Sequence, residues 1–228
     1  MRIAEIFYSI QGEGMLAGTP SVFVRTSGCN LRCVWCDTPY TSWAPEGEEL
    51  GLEEILVRIR RWPAARYAVV TGGEPMIAPE IVPLTEALRR LGLHITVETA
   101  GTVFEPVACD LMSISPKLAN STPWEREGGR WAKQHERLRI QVPVLRRLMS
   151  AYAYQLKFVV TSPADLEEIR DLVGRLGAPA DRVVLMPEGA DRDTLRERGA
   201  WLAELCKEHG FRFSPRLHIE LWGNRRGV

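Results

Sequence analysis

The stretch Ser21 to Thr38, SVFVRTSGCNLRCVWCDT, joins a run of apolar and β-branched residues directly to a loop with three cysteines. The run is typical of a buried strand. Cys29, Cys33 and Cys36 follow within eight residues of one another. In parallel α/β sheets, the loops after the carboxyl ends of the strands build the site. The stretch therefore predicts a group of thiols at the functional edge of such a sheet.

Similar strands alternate with helical patterns along the rest of the chain. The other predicted strands are Ile3 to Tyr8 and the segments 66–71, 94–98, 110–115, 154–160 and 182–186. Helices are predicted at 52–59, 81–91, 162–177 and 191–209. Such alternation requires crossovers and a mainly parallel sheet, and six or seven strands are too few for a closed eight-stranded barrel. We predict an α/β fold of the incomplete (βα)6-type partial TIM barrel, with a doubly wound sheet as the alternative. Residues 1–228 are expected to form a single domain.

Two of the predicted helices carry clear boundary signals. Ser162 is the expected N-cap of the third, with Pro163 at its first position and Gly177 as its C-cap. Gly210 is expected to end the fourth helix.

The composition excludes several classes of protein. Lys and Arg number 29, equal to the 29 Asp and Glu, so the chain is no polycation for nucleic acid. No apolar run predicts a signal peptide or a membrane span, and we expect a cytoplasmic protein. In a reducing compartment, clustered cysteines bind metal or react more often than they form disulfides.

The three cysteines allow more than one metal centre. Structural zinc takes four protein ligands and catalytic zinc takes three, whereas a four-iron cluster held by three thiolates leaves one iron open. The other cysteines and the histidines are not paired at a spacing that could supply further zinc ligands: Cys109, Cys206, His94, His135, His209 and His218. An iron–sulfur cluster is therefore favoured, with zinc as the alternative.

The C-x3-C-x2-C spacing, with Trp35 before the last cysteine, resembles the radical S-adenosylmethionine (SAM) enzymes. GGEP at 72–75 and SPK at 115–117 each follow a predicted strand. The resemblance implies a [4Fe–4S] cluster on Cys29, Cys33 and Cys36, and SAM bound at its open iron. It assigns SAM contacts to Trp35, Cys36, Asp37, Gly73, Glu74, Ser115, Pro116, Lys117, Met186, Pro187, Glu188 and Gly189. MPEG at 186–189 departs from the family pattern and puts its side-chain contacts in doubt.

Five stretches resemble the 7-carboxy-7-deazaguanine synthase family: YSIQGEG, VRTSGCNLRCVWCDT, TGGEP, SPK and the closing LHIELWGNRRGV. The resemblance covers nearly the whole chain. It implies a radical SAM carbon–nitrogen lyase that contracts the ring of 6-carboxy-5,6,7,8-tetrahydropterin, releases ammonia and forms 7-carboxy-7-deazaguanine for queuosine biosynthesis. The radical takes hydrogen from C6 and hydrogen returns from 5′-deoxyadenosine, so that SAM is regenerated.

The same resemblance implies the substrate side of the site. It assigns substrate contacts to Ile10, Gln11, Gly12, Glu13, Arg25, Thr71, His218 and Val228. Arg25 would form a bidentate pair with the substrate carboxylate, and Thr38 would contribute a hydroxyl to Mg²⁺, an ion that keeps waters and takes substrate oxygens. A reducing electron donor such as flavodoxin or ferredoxin and a homodimer are also implied, but no nucleic-acid or membrane partner.

Two further hypotheses and one unexplained segment remain. The chain could be an activating enzyme for a glycyl radical protein, which would consume SAM, or a non-enzymatic zinc-binding interaction protein. The polar segment Lys117 to Gln141 contains no recognisable motif and is expected to be a long loop with a short helix that covers the site.

Overall fold

The computed structural model describes all 228 residues, Met1–Val228, and contains one nine-stranded sheet. The strands are β1 (Arg2–Ile10), β2 (Pro20–Thr26), β3 (Glu48–Glu49), β4 (Tyr67–Gly72), β5 (His94–Thr99), β6 (Leu111–Ile114), β7 (Tyr154–Val160), β8 (Val183–Pro187) and β9 (Arg212–Phe213). Their order is β3-β1-β2-β4-β5-β6-β7-β8-β9. From β2 to β9 every pairing is parallel, whereas β1 is antiparallel to β2 and β3. The seven predicted strands are confirmed, and β3 and β9 are too short for a periodic signal.

The two faces of the sheet differ in chemistry. Apolar residues at alternate positions pack against the helices in a core of 34 buried residues, among them Val22, Val24, Val70, Val97, Leu156 and Phe158. The positions between them point to the other face and line a cavity, among them Arg25, Thr71, Glu98, Ser113 and Lys157. Because one face carries helices and the other a cavity, the fold is the predicted open partial barrel and not a doubly wound sheet.

The helices are α1 (Pro39–Ser42), α2 (Leu52–Ile59), α3 (Ile81–Arg90), α4 (Ala132–Leu138), α5 (Val142–Ala151), α6 (Asp165–Leu176), α7 (Arg192–His209) and α8 (Leu217–Trp222). None of them combines the length and the apolar character that crossing a bilayer requires.

The ends of α6 and α7 test the boundary signals. Gly177 and Gly210 end these helices in the left-handed region, with φ of 68° each, as predicted. The predicted start of α6 is wrong by two residues, because the helix begins at Asp165 rather than Pro163 and Ser162 does not cap it. Instead, the Asp165 carboxylate accepts the backbone N–H of Thr161 at 2.7 Å and holds the preceding turn.

Candidate active site

A cavity of about 240 Å³ opens where the parallel strands end. Most of the predicted site residues line it: Ile10, Gln11, Gly12, Glu13, Arg25, Cys29, Cys33, Trp35, Cys36, Asp37, Thr38, Thr71, Gly73, Ser115, Lys117, Met186, Glu188, His218 and Val228. Four predicted SAM-binding residues are not among the lining residues, namely Glu74, Pro116, Pro187 and Gly189. The fold thus brings the predicted cluster, SAM and substrate positions into one chamber.

The three cysteines lie on one wall of this cavity as free thiols. Burial raises the pKa of Cys29 to about 12 and also raises the pKa of Cys33. The backbone N–H of Leu31 points to the Cys29 sulfur at 3.4 Å, and the Ser42 hydroxyl lies 3.2 Å from the Cys36 sulfur. Thiolates in such a dry loop need a cationic centre to stabilise them.

No three His, Cys, Asp or Glu side chains converge closely enough to hold a single metal ion between them. A [4Fe–4S] cluster makes a different demand, because each thiolate binds its own iron. Three thiols spread along one loop, with N–H and hydroxyl groups near the sulfurs, fit this demand. Thr38 lies beside them, with its hydroxyl 3.8 Å from the Cys36 sulfur.

The GGEP turn holds the cysteine loop rather than only facing a ligand. The backbone N–H of Glu74 donates to the carbonyl of Gly28 at 2.9 Å. The Glu74 carboxylate is fully buried and accepts from the Thr99 hydroxyl at 2.7 Å and the Ala100 N–H at 2.8 Å. Burial raises the pKa of Glu74, against the effect of these donors. Glu74 therefore joins the loops after β4 and β5 and stands behind the cavity wall.

The predicted cover, Lys117 to Gln141, braces the cysteine loop from outside. The backbone N–H of Val34 donates to the Ser121 carbonyl at 2.8 Å, and the Trp35 indole donates to Asn120 at 3.1 Å. The Arg126 guanidinium stacks 3.8 Å from the Trp43 ring centre. The segment contains two 3-10 turns and α4, and its polar groups are used to fix the loop that carries the cysteines.

His135 is the buried centre of this brace and is 1% exposed. Its Nδ1 accepts the backbone N–H of Arg32 at 3.1 Å. Its Nε2 lies 2.8 Å from the Ser121 hydroxyl and must carry the proton, because Nδ1 is already an acceptor. The geometry therefore requires a neutral imidazole, and burial lowers the pKa of His135 to about 4.

This depressed pKa predicts acid sensitivity. The unfolded chain binds a proton at an ordinary histidine below about pH 6.5, whereas folded His135 does so only near pH 4. The unfolding free energy of the metal-free protein should therefore fall by about 2 kcal/mol between pH 6.5 and 4 on account of this group. His135→Gln keeps an acceptor and a donor but does not titrate, so its urea-unfolding profile should be flatter. Equal slopes for the two proteins would contradict the assignment.

Arg25 reaches the cavity from the end of β2. Its Nε donates to Glu5 at 2.7 Å, and the Tyr40 hydroxyl donates to the same carboxylate oxygen at 2.6 Å. The guanidinium also lies 5.7 Å from the Phe7 ring centre. Glu5 thus holds Arg25 by one edge only, and the Nη groups make no hydrogen bond within the chain. They are available for a planar anion.

Two predicted substrate residues, Gln11 and Thr71, both bind Glu98, which was not predicted as a site residue. Gln11 donates to Glu98 at 3.0 Å, and the Thr71 hydroxyl donates to the other Glu98 oxygen at 2.8 Å. The carbonyl oxygen of the Gln11 side chain accepts the backbone N–H of Glu13 at 3.2 Å. The result is an ordered edge of acceptors and donors at the ends of β1, β4 and β5.

A second polar cluster, made of four charged side chains, lines the same cavity. Glu13 pairs with Lys157 and, at 3.1 Å, with Arg216, which also pairs with Asp37. Burial alone would raise the pKa of Glu13, but the two cations outweigh it and hold that pKa well below its usual range. Burial lowers the pKa of His218, whose ring packs on Gly12. The four charges therefore balance inside the cavity wall.

Several functional candidates escaped the sequence reasoning: Glu5, Tyr40, Glu98, Lys157 and Arg216. Glu98 and Lys157 did carry a signal, since each is a charged residue within an apolar strand pattern. Arg216 lies in an irregular segment and Tyr40 in the four-residue helix α1, and neither place gives a charge or a phenol a distinctive spacing.

Comparison with known proteins identifies the family. The family model for the radical SAM superfamily matches residues 23–117. A 7-carboxy-7-deazaguanine synthase of Halobacterium salinarum is 47% identical over 97% of this chain and 90% of its own length. One from Rhodopirellula baltica is also 47% identical, over 99% and 88%. The crystal structure of QueE from Escherichia coli superposes with a TM-score of 0.67 at 27% identity, covering 93% of this chain and 92% of that one.

The matched residues 23–117 include the three cysteines, GGEP and SPK, and the relatives match across nearly the whole chain. Sequence, fold and cavity thus agree: the chain belongs to the 7-carboxy-7-deazaguanine synthase family of radical SAM enzymes.

Proposed function

We propose that this protein converts 6-carboxy-5,6,7,8-tetrahydropterin to 7-carboxy-7-deazaguanine with release of ammonia, a step toward queuosine and other 7-deazapurines. One observation carries the proposal: a single cavity holds the three cysteine thiols and, on another wall, Arg25 with its Nη groups unpaired. A carboxylated heterocycle needs such a cation. The relatives are named for the product, 7-carboxy-7-deazaguanine, and the pterin substrate is the one that the family resemblance implies.

Cys29, Cys33 and Cys36 would hold the [4Fe–4S] cluster, and SAM would occupy the adjoining space. Bound together, cluster and SAM supply the 5′-deoxyadenosyl radical that takes hydrogen from the substrate. On this side the chain contributes orientation: Lys117 lies 2.8 Å from the Ser115 hydroxyl and 6.0 Å from the Trp35 ring centre. These groups suit a ligand that carries a carboxylate, hydroxyls and a ring.

On the substrate side, Arg25 would bind the carboxylate and thereby fix which pterin carbon faces the radical. Glu98 would accept from the amino and ring N–H groups of the pterin, together with Glu13. The stacked Phe7 and Phe23 rings, 4.8 Å apart, form an apolar wall at this end. The closing residues Asn224 to Val228 also line the cavity and would limit the access of water.

We also propose that Thr38 contributes a hydroxyl to Mg²⁺, with the substrate carboxylate and waters completing the coordination. Thr38 lines the same cavity as Arg25, and no group of three His, Cys, Asp or Glu side chains is arranged to hold the ion in its place. The whole of 1–228 would act as one domain, supported by its continuous sheet. A small reducing protein such as flavodoxin or ferredoxin would supply electrons, and a homodimer is proposed from family resemblance.

The test is anaerobic reconstitution with iron and sulfide, followed by mass spectrometry of a reaction with reductant, SAM, Mg²⁺ and 6-carboxytetrahydropterin. We expect 7-carboxy-7-deazaguanine, with most of the SAM retained. A brown protein that cleaves SAM but leaves the pterin unchanged would refute the substrate assignment and favour an activating enzyme. A colourless protein that contains zinc would refute the cluster.

A further inference from the structure

Arg216 connects three loops that the fold brings to the cavity, although no assignment of the site includes it. Its Nε donates to Glu13 at 3.1 Å, one Nη donates to the Gly189 carbonyl at 2.5 Å, and the other pairs with Asp37. The residue is only 6% exposed. Each of the three guanidinium nitrogens therefore binds a residue on a different loop.

The three partners belong to different halves of the proposed site. Asp37 directly follows the last cysteine, and Gly189 follows β8, so both stand on the SAM side. Glu13 stands on the pterin side, on the loop after β1. A shift of either half moves the guanidinium against its partner in the other half, because the arginine fork is rigid.

The charges strengthen this connection. Burial alone would raise the pKa of Asp37, but the neighbouring Arg216 outweighs it and lowers that pKa. Only one Asp37 oxygen binds Arg216, and the side chain is 38% exposed to the cavity. The other oxygen is therefore free for a ligand. Glu13 keeps Lys157 as a second cation, so Asp37 depends on Arg216 more than Glu13 does.

The backbone beside Arg216 reinforces the pterin side. The N–H of Leu217 donates to the Gly12 carbonyl at 2.9 Å, and the Ser214 hydroxyl accepts the N–H of Gly14 at 2.7 Å. The segment before α8 is thus hydrogen-bonded along the loop that carries Gln11 and Glu13. The guanidinium extends from this fixed base to the cysteine loop.

We propose that Arg216 is a positioning residue that couples the two ligands: by holding Asp37 and Glu13 with one guanidinium, it makes SAM binding depend on pterin binding and the reverse. The proposal rests on the proposed function for the identity of the pterin. It assigns Arg216 no contact with the reacting atoms.

The test measures the coupling directly. The dissociation constant of SAM is measured with cluster-loaded protein under anaerobic, unreduced conditions, with and without saturating 6-carboxytetrahydropterin and Mg²⁺. In the wild type the pterin should tighten SAM binding by about 5- to 50-fold, and by linkage SAM should tighten pterin binding equally. In Arg216→Gln this factor should fall to near one, with iron content unchanged.

Arg139→Gln is the matched control. Arg139 is a comparably buried arginine, with a side chain 14% exposed, that binds Glu136, Glu168 and the Lys117 carbonyl, but it does not line the cavity. It should lose stability while the coupling factor stays at the wild-type value. Arg216→Lys, which keeps the charge but not the fork, should give an intermediate factor and replaces Arg216→Gln if that variant does not fold.

Four results would overturn the proposal or its basis. A coupling factor of one in the wild type, or an unchanged factor in a folded Arg216→Gln, removes the role of Arg216. A pterin that binds but is not converted refutes the proposed function and leaves the coupling measurable. If the pterin does not bind at all, the affinity for SAM alone decides: equal affinities in Arg216→Gln and Arg139→Gln overturn the assignment, whereas a tenfold loss in the former supports the link to Asp37.

Discussion

Replacing Arg25 with alanine should lower kcat/KM for 6-carboxytetrahydropterin by about 10²- to 10³-fold while iron content and SAM binding stay at wild-type levels. The Arg25 side chain is 18% exposed, and its Nε is hydrogen-bonded to Glu5 whereas its Nη groups are not bonded within the chain. Removing one partner of a desolvated, hydrogen-bonded charge pair costs about 2–5 kcal/mol, and the loss of a positioning contact adds to it. Steady-state kinetics against pterin concentration provide the measurement.

Two variants separate charge from geometry. Arg25→Lys keeps the charge but not the bidentate fork, so it should recover only part of the activity. Arg58→Ala is the control, because Arg58 forms a comparable 2.7 Å ion pair with Glu48 on the surface. Unchanged saturation by the pterin in Arg25→Ala would show that another residue binds the carboxylate.

Replacing Gly73 with alanine should abolish stable cluster binding. A Cβ at this position would lie 2.2 Å from the Gly28 carbonyl oxygen and 2.8 Å from the Cys29 Cβ. The first of these is a backbone atom that cannot rotate away, and the loop it belongs to carries the cysteines. The two loops would have to separate, and the thiols would lose their mutual position. Iron and sulfide content after reconstitution, with the visible absorption of the cluster, measures the effect.

Gly174→Ala is the matched control for this glycine. Gly174 lies within α6, and a Cβ there would meet no atom within 4 Å. Alanine in a helix interior is more favourable than glycine by about 0.5–1 kcal/mol, so stability should rise slightly and cluster content should not change. Full cluster content in Gly73→Ala would contradict the close approach of the two loops.

The glycine also shows how a correct sequence signal can carry an incomplete explanation. Adjacent glycines such as Gly72 and Gly73 are typical of a close backbone approach, and the structure contains one. The partner is the Gly28 carbonyl of the cysteine loop, in addition to any ligand on the cavity side. The glycine pair indicates that a side chain is not tolerated at this position, but it does not indicate which neighbouring atom excludes the side chain.

The sequence by itself determined the features that depend on short spacing. The three cysteines lie in one loop, the strands follow a two-residue alternation, and the boundary glycines of α6 and α7 lie where left-handed backbone is needed. These signals are local, because hydrophobic periodicity and turn conformation involve neighbours along the chain. The alternation of strands and helices predicts a mainly parallel sheet, and the two faces of that sheet in the structure decide for the partial barrel over the doubly wound alternative.

Only the tertiary structure decided which distant groups share the site. Arg216 meets Asp37 across 179 positions and Glu13 across 203, and His135 meets Arg32 across 103. Glu13, Arg32 and Asp37 lie in stretches that the sequence analysis singled out, but the sequence around Arg216 and His135 does not indicate that these two residues reach them. Their roles arise because the loops after the parallel strands and the segment after the antiparallel strand β1 meet in the fold, where charges that would otherwise be solvated are buried and must pair.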